Sequence, residues 1–274
     1  MSKPLPKKLR AKWDELIETE GAVMGLSDCR VFLENKLVND IFYEGLYKGV
    51  PCVVKCSSKA PELIRNEYDV GLKLNAVTPQ VFPRFYECYV SEDGKYAFVV
   101  MEKLYDLKAV EPKFAGDDAL CIIGALDQTG IVHRDVYIDN LMTGEDGHLK
   151  LIDFQFAVDR NKYEECEWMR RNWKYRYVVL GLVSGLPVGV WNDASGMLKV
   201  TQRICNGDEY KKAVDTIKKY ENRMAFAPMI SLVDRVLLRL YEARLKLQCF
   251  FVFDKLKKQA KQRRILRLVN RRRP

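Results

Sequence analysis

The apolar positions change period along the chain, from strand-like runs near the start to helical spacing later. Val50, Pro51, Cys52, Val53 and Val54 form a short buried-strand run that ends in a lysine, Lys55. Residues 41–47 precede it across a turn at Lys48 and Gly49. Residues 96–101 form another such run, which breaks into polar sequence at Glu102 and Lys103. Residues 148–152 form a third, joined to Leu141 and Met142 through Gly144, Glu145, Asp146 and Gly147, a hairpin by turn chemistry and apolar content. Helical spacing is predicted over 61–74, with Leu63, Val70, Leu72 and Leu74 as the apolar positions. A second helix spans 118–126, with an acidic start and a stop at Gly130, the residue that most readily turns left-handed. Residues 168–177 have helical character and many cations. At 229–247, Val233, Leu237, Leu240 and Leu247 oppose Arg235, Arg239, Glu242 and Lys246, the pattern of a core-packing helix. Strands early and helices late predict an α+β chain.

Composition adds scale. With 274 residues, 48% of them hydrophobic, the chain can build a sizeable core and two lobes around one cleft, with no internal repeat or low-complexity linker. The basic start, residues 1–10, is followed by no apolar stretch, so it does not read as a secretory signal, and no apolar segment is long enough to span a bilayer. The eight cysteines show no metal-type spacing beyond the lone pair Cys52 and Cys56 and read as reduced thiols. A cytoplasmic protein is expected.

The net charge of +9 is concentrated at the end, where Lys255, Lys257, Lys258, Lys261, Arg263, Arg264, Arg267, Arg271, Arg272 and Arg273 run without an acidic residue, just after Phe250, Phe251 and Phe253. A polybasic segment beside aromatics suits an anionic membrane surface. A solvated basic tail is the other reading, and no recognition motif accompanies it that would point to nucleic acid.

The richest chemistry lies between the helix stop at Gly130 and the hairpin. There His133, Arg134 and Asp135 lead through Tyr137 to Asn140, and Asp153-Phe154-Gln155 follows the hairpin's second strand. The hairpin returns Asp153 toward Asn140, as a shared metal site needs. This arrangement resembles the protein-kinase superfamily. The resemblance implies a two-lobed kinase-like fold, with a small antiparallel-sheet lobe and a mainly helical one, using ATP and Mg2+. It makes Asp135 the catalytic base and Asn140 and Asp153 the metal ligands. Lys55 becomes the phosphate contact, supported by Glu67 on the helix at 61–74, with Glu62 as the other candidate. Met101 would be the gatekeeper, with the Glu102 carbonyl and the Leu104 amide facing the adenine. His133 would be structural. The implied division is an N-terminal extension (1–30), a small lobe (31–103), a large lobe (104–250) and a basic tail (251–274).

Departures narrow the likeness. Residues 34–44, where a glycine-rich phosphate loop belongs, contain no glycine. Gln155 replaces the glycine usual after Asp-Phe, suggesting a less mobile metal loop. Tyr137 stands where many protein kinases carry a lysine, and no Ala-Pro-Glu signature follows Asp153. The abbreviated lower lobe is most similar to bacterial lipopolysaccharide-core and glycan kinases. The function implied is phosphorylation of a sugar hydroxyl on a glycan or glycolipid acceptor at the inner face of the cytoplasmic membrane. A Ser/Thr protein kinase and a nucleotide-binding pseudokinase or scaffold are the alternatives.

Overall fold

The computed structural model describes residues 5–35, 40–163, 165–171, 190–205 and 207–227, with residues 236, 237, 239, 240 and 243. The basic run at 255–273, the loop residues 36–39 and most of the predicted helix at 229–247 lie outside them.

The chain opens with α1 (Lys7–Leu16), which continues through a π-helical turn (Ile17–Gly21) into the short α2 (Ala22–Met24). Five strands follow in one antiparallel sheet: β1 (Leu26–Asn35), β2 (Asp40–Tyr47), β3 (Val50–Ser57), β4 (Phe85–Val90) and β5 (Ala97–Glu102), ordered β1-β2-β3-β5-β4. The helix α3 (Pro61–Asn75) crosses from β3 to β4.

Strand alternation gives the sheet two distinct faces. Ile41, Tyr43, Cys52, Val54, Cys56, Phe98 and Val100 point to one, where they are buried with Trp13, Leu16, Ile17 and Leu26. Trp13 is fully buried, edge-on to Tyr96 at 5.2 Å, and Asp14 accepts a hydrogen bond from the Tyr43 hydroxyl at 2.7 Å. Residues 5–25 therefore cover the outer face of the sheet, and the sheet itself begins at Leu26. The other face carries Val53, Lys55, Val99 and Met101, with Phe42 paired to Lys55, and it looks onto α3 and the helical lobe.

A short strand β6 (Tyr105–Asp106) follows the sheet, and α4 (Ala115–Thr129) founds the second lobe. Its residues Ala119, Ile122, Ile123 and Leu126 recur at helical spacing and are fully buried. Gly130, at φ 71°, ends it and turns the chain into β7 (Ile131–Val132). The predicted hairpin is present as β8 (Leu141–Thr143) and β9 (Leu149–Leu151), and β10 (Val158–Asp159) pairs back onto β7. Then come α5 (Glu167–Arg171), α6 (Asp193–Ile204) and α7 (Gly207–Met224), of which α6 and α7 pack on α4. The architecture is α+β and two-lobed, as in the kinase-like fold. Among the described residues no helix is long and apolar enough to cross a membrane.

Close packing joins the lobes at Gly71 on α3, where a Cβ would lie 2.2 Å from the Phe85 ring, itself edge-on to Phe154 at 6.2 Å. By contrast, a Cβ on Gly124 in α4 would meet only the Tyr220 hydroxyl, at 3.8 Å. Gly71→Ala should therefore cost about 1–3 kcal/mol through overpacking, and Gly124→Ala should add about 0.5–1 kcal/mol through helix propensity. Chemical denaturation of the two variants checks this, and a Gly71→Ala protein as stable as the parent would remove the packing argument.

Candidate active site

One helix and one loop converge on a single lysine of β3. Lys55, buried on β3, donates from Nζ to Glu67 Oε2 at 2.7 Å and to Asp153 Oδ1 at 2.8 Å. Burial opposes its charge, but Asp153 and Glu67 together more than offset that and hold the ammonium above its ordinary pKa. Glu67 is also buried, which pushes its carboxyl up to about 7 against the pull of Lys55. Glu62, the other candidate partner, is exposed.

The residue beside Glu67 makes the convergence possible. Asn66 donates from Nδ2 to the carbonyls of Phe154, Gln155 and Ala157 at 3.2, 3.1 and 3.0 Å. One turn of α3 thus fixes both the lysine and the loop carrying Asp153. Asp153 sits at φ 68°, a left-handed conformation uncommon outside glycine. Its neighbour Phe154 is fully buried among Phe82 at 5.9 Å, Phe85 and His133 at 5.2 Å, which anchors the turn. Gln155 bends back, placing Nε2 3.4 Å from Asp153 Oδ2.

The 133–140 loop is held from behind. Arg134 is also left-handed, at φ 72°. Asp193, buried at the start of α6, accepts from the amides of His133 at 2.7 Å and Arg134 at 3.0 Å, satisfying both across a turn that secondary structure cannot pair. The Arg134 guanidinium reaches Glu165 at 2.9 Å and lies 4.9 Å from the Trp191 ring. His133 donates from Nε2 to the Ile152 carbonyl at 3.0 Å, while its Nδ1 accepts from the Asp135 amide at 3.2 Å. A neutral imidazole serves both bonds, so His133 orders the loop.

Asn140 donates from Nδ2 to Asp135, at 2.9 Å to the carbonyl and 3.0 Å to Oδ2. The Ile152 amide donates to the Asn140 carbonyl at 3.0 Å, bringing the chain just before Asp153 alongside Asn140. Burial pushes the Asp135 carboxyl upward, opposed by the Asn140 hydrogen bond. Asp135, Asn140, Asp153, Lys55 and Glu67 thus form one connected constellation. The donor set suits a magnesium nucleotide, since Asn140 spends its N–H on Asp135 and keeps its side-chain oxygen, while Lys55 offers a fixed cation.

The strand to the second lobe is braced separately. Glu102 accepts from the Arg84 amide at 3.0 Å and pairs with buried Lys150 at 3.2 Å, and its own amide donates to the Arg84 carbonyl at 2.8 Å. Met101 and Leu104 are buried beside it, with Val53 the cross-strand partner of Met101. Asn66, Lys150, Arg84 and Asp193 are the functional supports that the pattern of the sequence did not mark.

Asp193→Ala would leave two buried amides unpaired and release a left-handed turn, a loss on the order of 3 kcal/mol. Urea unfolding should show a lower midpoint than for Asp193→Asn, which keeps one acceptor. Equal midpoints for the parent and the alanine variant would deny Asp193 its anchoring role.

No protein-family model matches the chain. Over 82 residues, 29% of this chain and 16% of the relative, it is 28% identical to the serine/threonine-protein kinase akt-2 of Caenorhabditis elegans. Over 85 residues, 27% of this chain and 6% of the relative, it is 31% identical to Rho-associated protein kinase 1 of Homo sapiens, and equally so to that of Mus musculus. The matched stretch thus spans less than a fifth of these curated relatives, and the likeness it carries is a distant, partial one to protein kinases.

Proposed function

We propose that the chain is an ATP- and Mg2+-dependent phosphotransferase acting on a sugar hydroxyl of a lipopolysaccharide core or related cell-surface glycan. The observation that carries the phosphotransferase reading is the buried Lys55 ammonium, 2.7 Å from Glu67 and 2.8 Å from Asp153, with Asp135 and Asn140 joined at 3.0 Å alongside. In this reading Lys55 grips the nucleotide's phosphates, and Glu67 keeps it aimed. Asn140 and Asp153 hold magnesium, which when bound neutralises phosphate charge. The Glu102 carbonyl and Leu104 amide face the adenine, beside Met101. Asp135 accepts the acceptor's hydroxyl proton, and a carboxyl raised by burial is better matched to that task near neutral pH.

The acceptor class rests on other grounds. Tyr137 occupies the position of the lysine that many peptide-phosphorylating kinases use, and the polybasic run at 255–273 suits a membrane-borne acceptor at the cytoplasmic face. The partial likeness to akt-2 and to Rho-associated protein kinase 1 favours a second reading, a Ser/Thr protein kinase.

ATP with magnesium should raise the melting temperature well beyond ATP with EDTA, and Asp153→Asn should abolish that difference. Asp135→Asn should keep nucleotide binding and lose turnover by roughly a hundred- to ten-thousand-fold. The parent's kcat/KM should fall as pH drops through the Asp135 pKa, an acid limb that burial displaces upward from that of an ordinary aspartate. A magnesium effect that survives Asp153→Asn, or unimpaired turnover by Asp135→Asn, would remove the assignment.

Acceptor class is read by phosphate transfer to lipopolysaccharide-core glycolipid in anionic vesicles against a Ser/Thr peptide library. The glycolipid should be favoured, and truncation after Asp254 or added salt should weaken vesicle binding while sparing a soluble core oligosaccharide. Transfer to peptides alone selects the second reading.

A further inference from the structure

Antiparallel pairing sets Glu44 of β2, Val53 of β3 and Met101 of β5 side by side in one row across the sheet. Tyr43, the neighbour of Glu44, is buried on the outer face, so Glu44 points with Val53 and Met101 to the opposite face, toward the cleft. A carboxylate thus stands in a row whose next two members are apolar. Just past β5, Lys103 donates from Nζ to Glu44 Oε2 at 3.1 Å. The bond joins chain on one side of β3 to chain on the other, two strand spacings or roughly 10 Å apart. The two side chains therefore lie as a bar across the cleft face of β3, next to Val53, and both are half-buried.

A nucleobase bound as proposed above needs the same space. In that reading its edge meets the Glu102 carbonyl and the Leu104 amide, the two neighbours of Lys103, and its flat face packs against Val53 beside Met101. A purine carries its hydrogen-bonding groups on its edge, so its face offers neither an acceptor to Lys103 nor a donor to Glu44. The bar and the base exclude one another.

Glu44 has a second partner away from the slot. Arg30 on β1 stands directly opposite it across the sheet, with its guanidinium 3.9 Å from Glu44 Oε2 and its side chain 82% exposed. Rotation of the Glu44 side chain exchanges Lys103 for Arg30 and keeps the carboxylate paired. Glu102 does not compete for Lys103, since it is committed to Lys150 and to the Arg84 amide.

We infer that Glu44 and Lys103 form a built-in gate over the base slot, closed when Glu44 pairs with Lys103 and open when it pairs with Arg30, and that the nucleotide binds the open arrangement. This rests on the reading of the cleft as a nucleotide site. Apparent affinity then scales with the fraction of molecules that are open. Removing the closing partner strengthens binding, and removing the opening partner weakens it.

The full chain is titrated by calorimetry with the magnesium complex of a non-hydrolysable ATP analogue and, separately, with magnesium tripolyphosphate, which carries the phosphates and no base. Lys103→Met and Glu44→Gln should each raise affinity for the analogue about fivefold, and the double variant should gain no more than either alone, since both break one bond. Arg30→Ala should lower it by a similar factor, and that loss should vanish in a Glu44→Gln background. Loss of a cation near a polyphosphate would by itself weaken binding, so a gain in Lys103→Met is not a net-charge effect. Affinity for tripolyphosphate should stay within about twofold of the parent throughout. None of the three side chains is fully buried, so the variants should fold, and a melting curve confirms it. Weaker analogue binding by Lys103→Met makes the pair a clamp on the bound base, and a matching gain for tripolyphosphate assigns the effect to charge; either result overturns the gate. A parent that binds the analogue and is indifferent to all three substitutions also overturns the gate, and it leaves the nucleotide site standing. Binding of neither ligand by the parent or any variant overturns the phosphotransferase reading itself.

Discussion

The fold is organised around the cost of burying one ammonium. An isolated charge in an apolar interior is penalised by many kilocalories, and only close, well-aimed opposite charges make its burial tolerable. Lys55 meets that condition with two carboxylates drawn from separate elements, Glu67 on α3 and Asp153 after β9. Glu67 is 12 residues from Lys55 in sequence, whereas Asp153 is 98 residues away. The ion cluster is thus satisfied only when the strand, the helix and the second lobe's loop are all in place. Removing one carboxylate leaves the others with an uncompensated neighbour, which is why such clusters specify an arrangement more than they stabilise it.

The left-handed turns at Arg134 and Asp153 follow from the same demand. Each aims a side chain in a direction that regular backbone would not, and each is held by groups outside its own loop: Asp193 and Glu165 for the first, Asn66 and the packing of Phe154 for the second. Strain of this kind persists only where the surroundings over-determine it. His133 ties the two together, with one ring nitrogen on the Ile152 carbonyl and the other on the Asp135 amide. A shift of either loop is therefore felt by the other through a single imidazole.

Much of this was legible in the sequence because it is local. The run into Lys55, the helix stop at Gly130, the hairpin turn at 144–147 and the helix carrying Glu67 each announce themselves by residues within a few positions. The same holds for α+β class. What escaped was non-local or disguised. The first strand, Leu26–Asn35, mixes charges with apolar residues because it lies at the sheet edge, and the helix before it reads as a basic extension until Trp13 is seen beneath the sheet. Asp193 is 60 residues from the amide it holds, and nothing in its neighbourhood marks it. Asn66 stands beside Glu67 as an ordinary polar helix residue, and its three carbonyl partners lie about ninety residues on. Lys150 looks like a solvent-facing strand residue, yet it is buried against Glu102.

The helix α6 shows how one element can fix both the aim and the height of a loop. Its first residue fixes the backbone that aims Asp135, and its close contact at Gly196 fixes the distance to the loop. Given those two constraints, the side chains one and two turns further along have little freedom in where they emerge. Arg203, two turns along, comes out over the Tyr137 ring. At the other end of the constellation the groups neutralise one another, Lys55 against Glu67 and Asp153, and internal ion pairs close it.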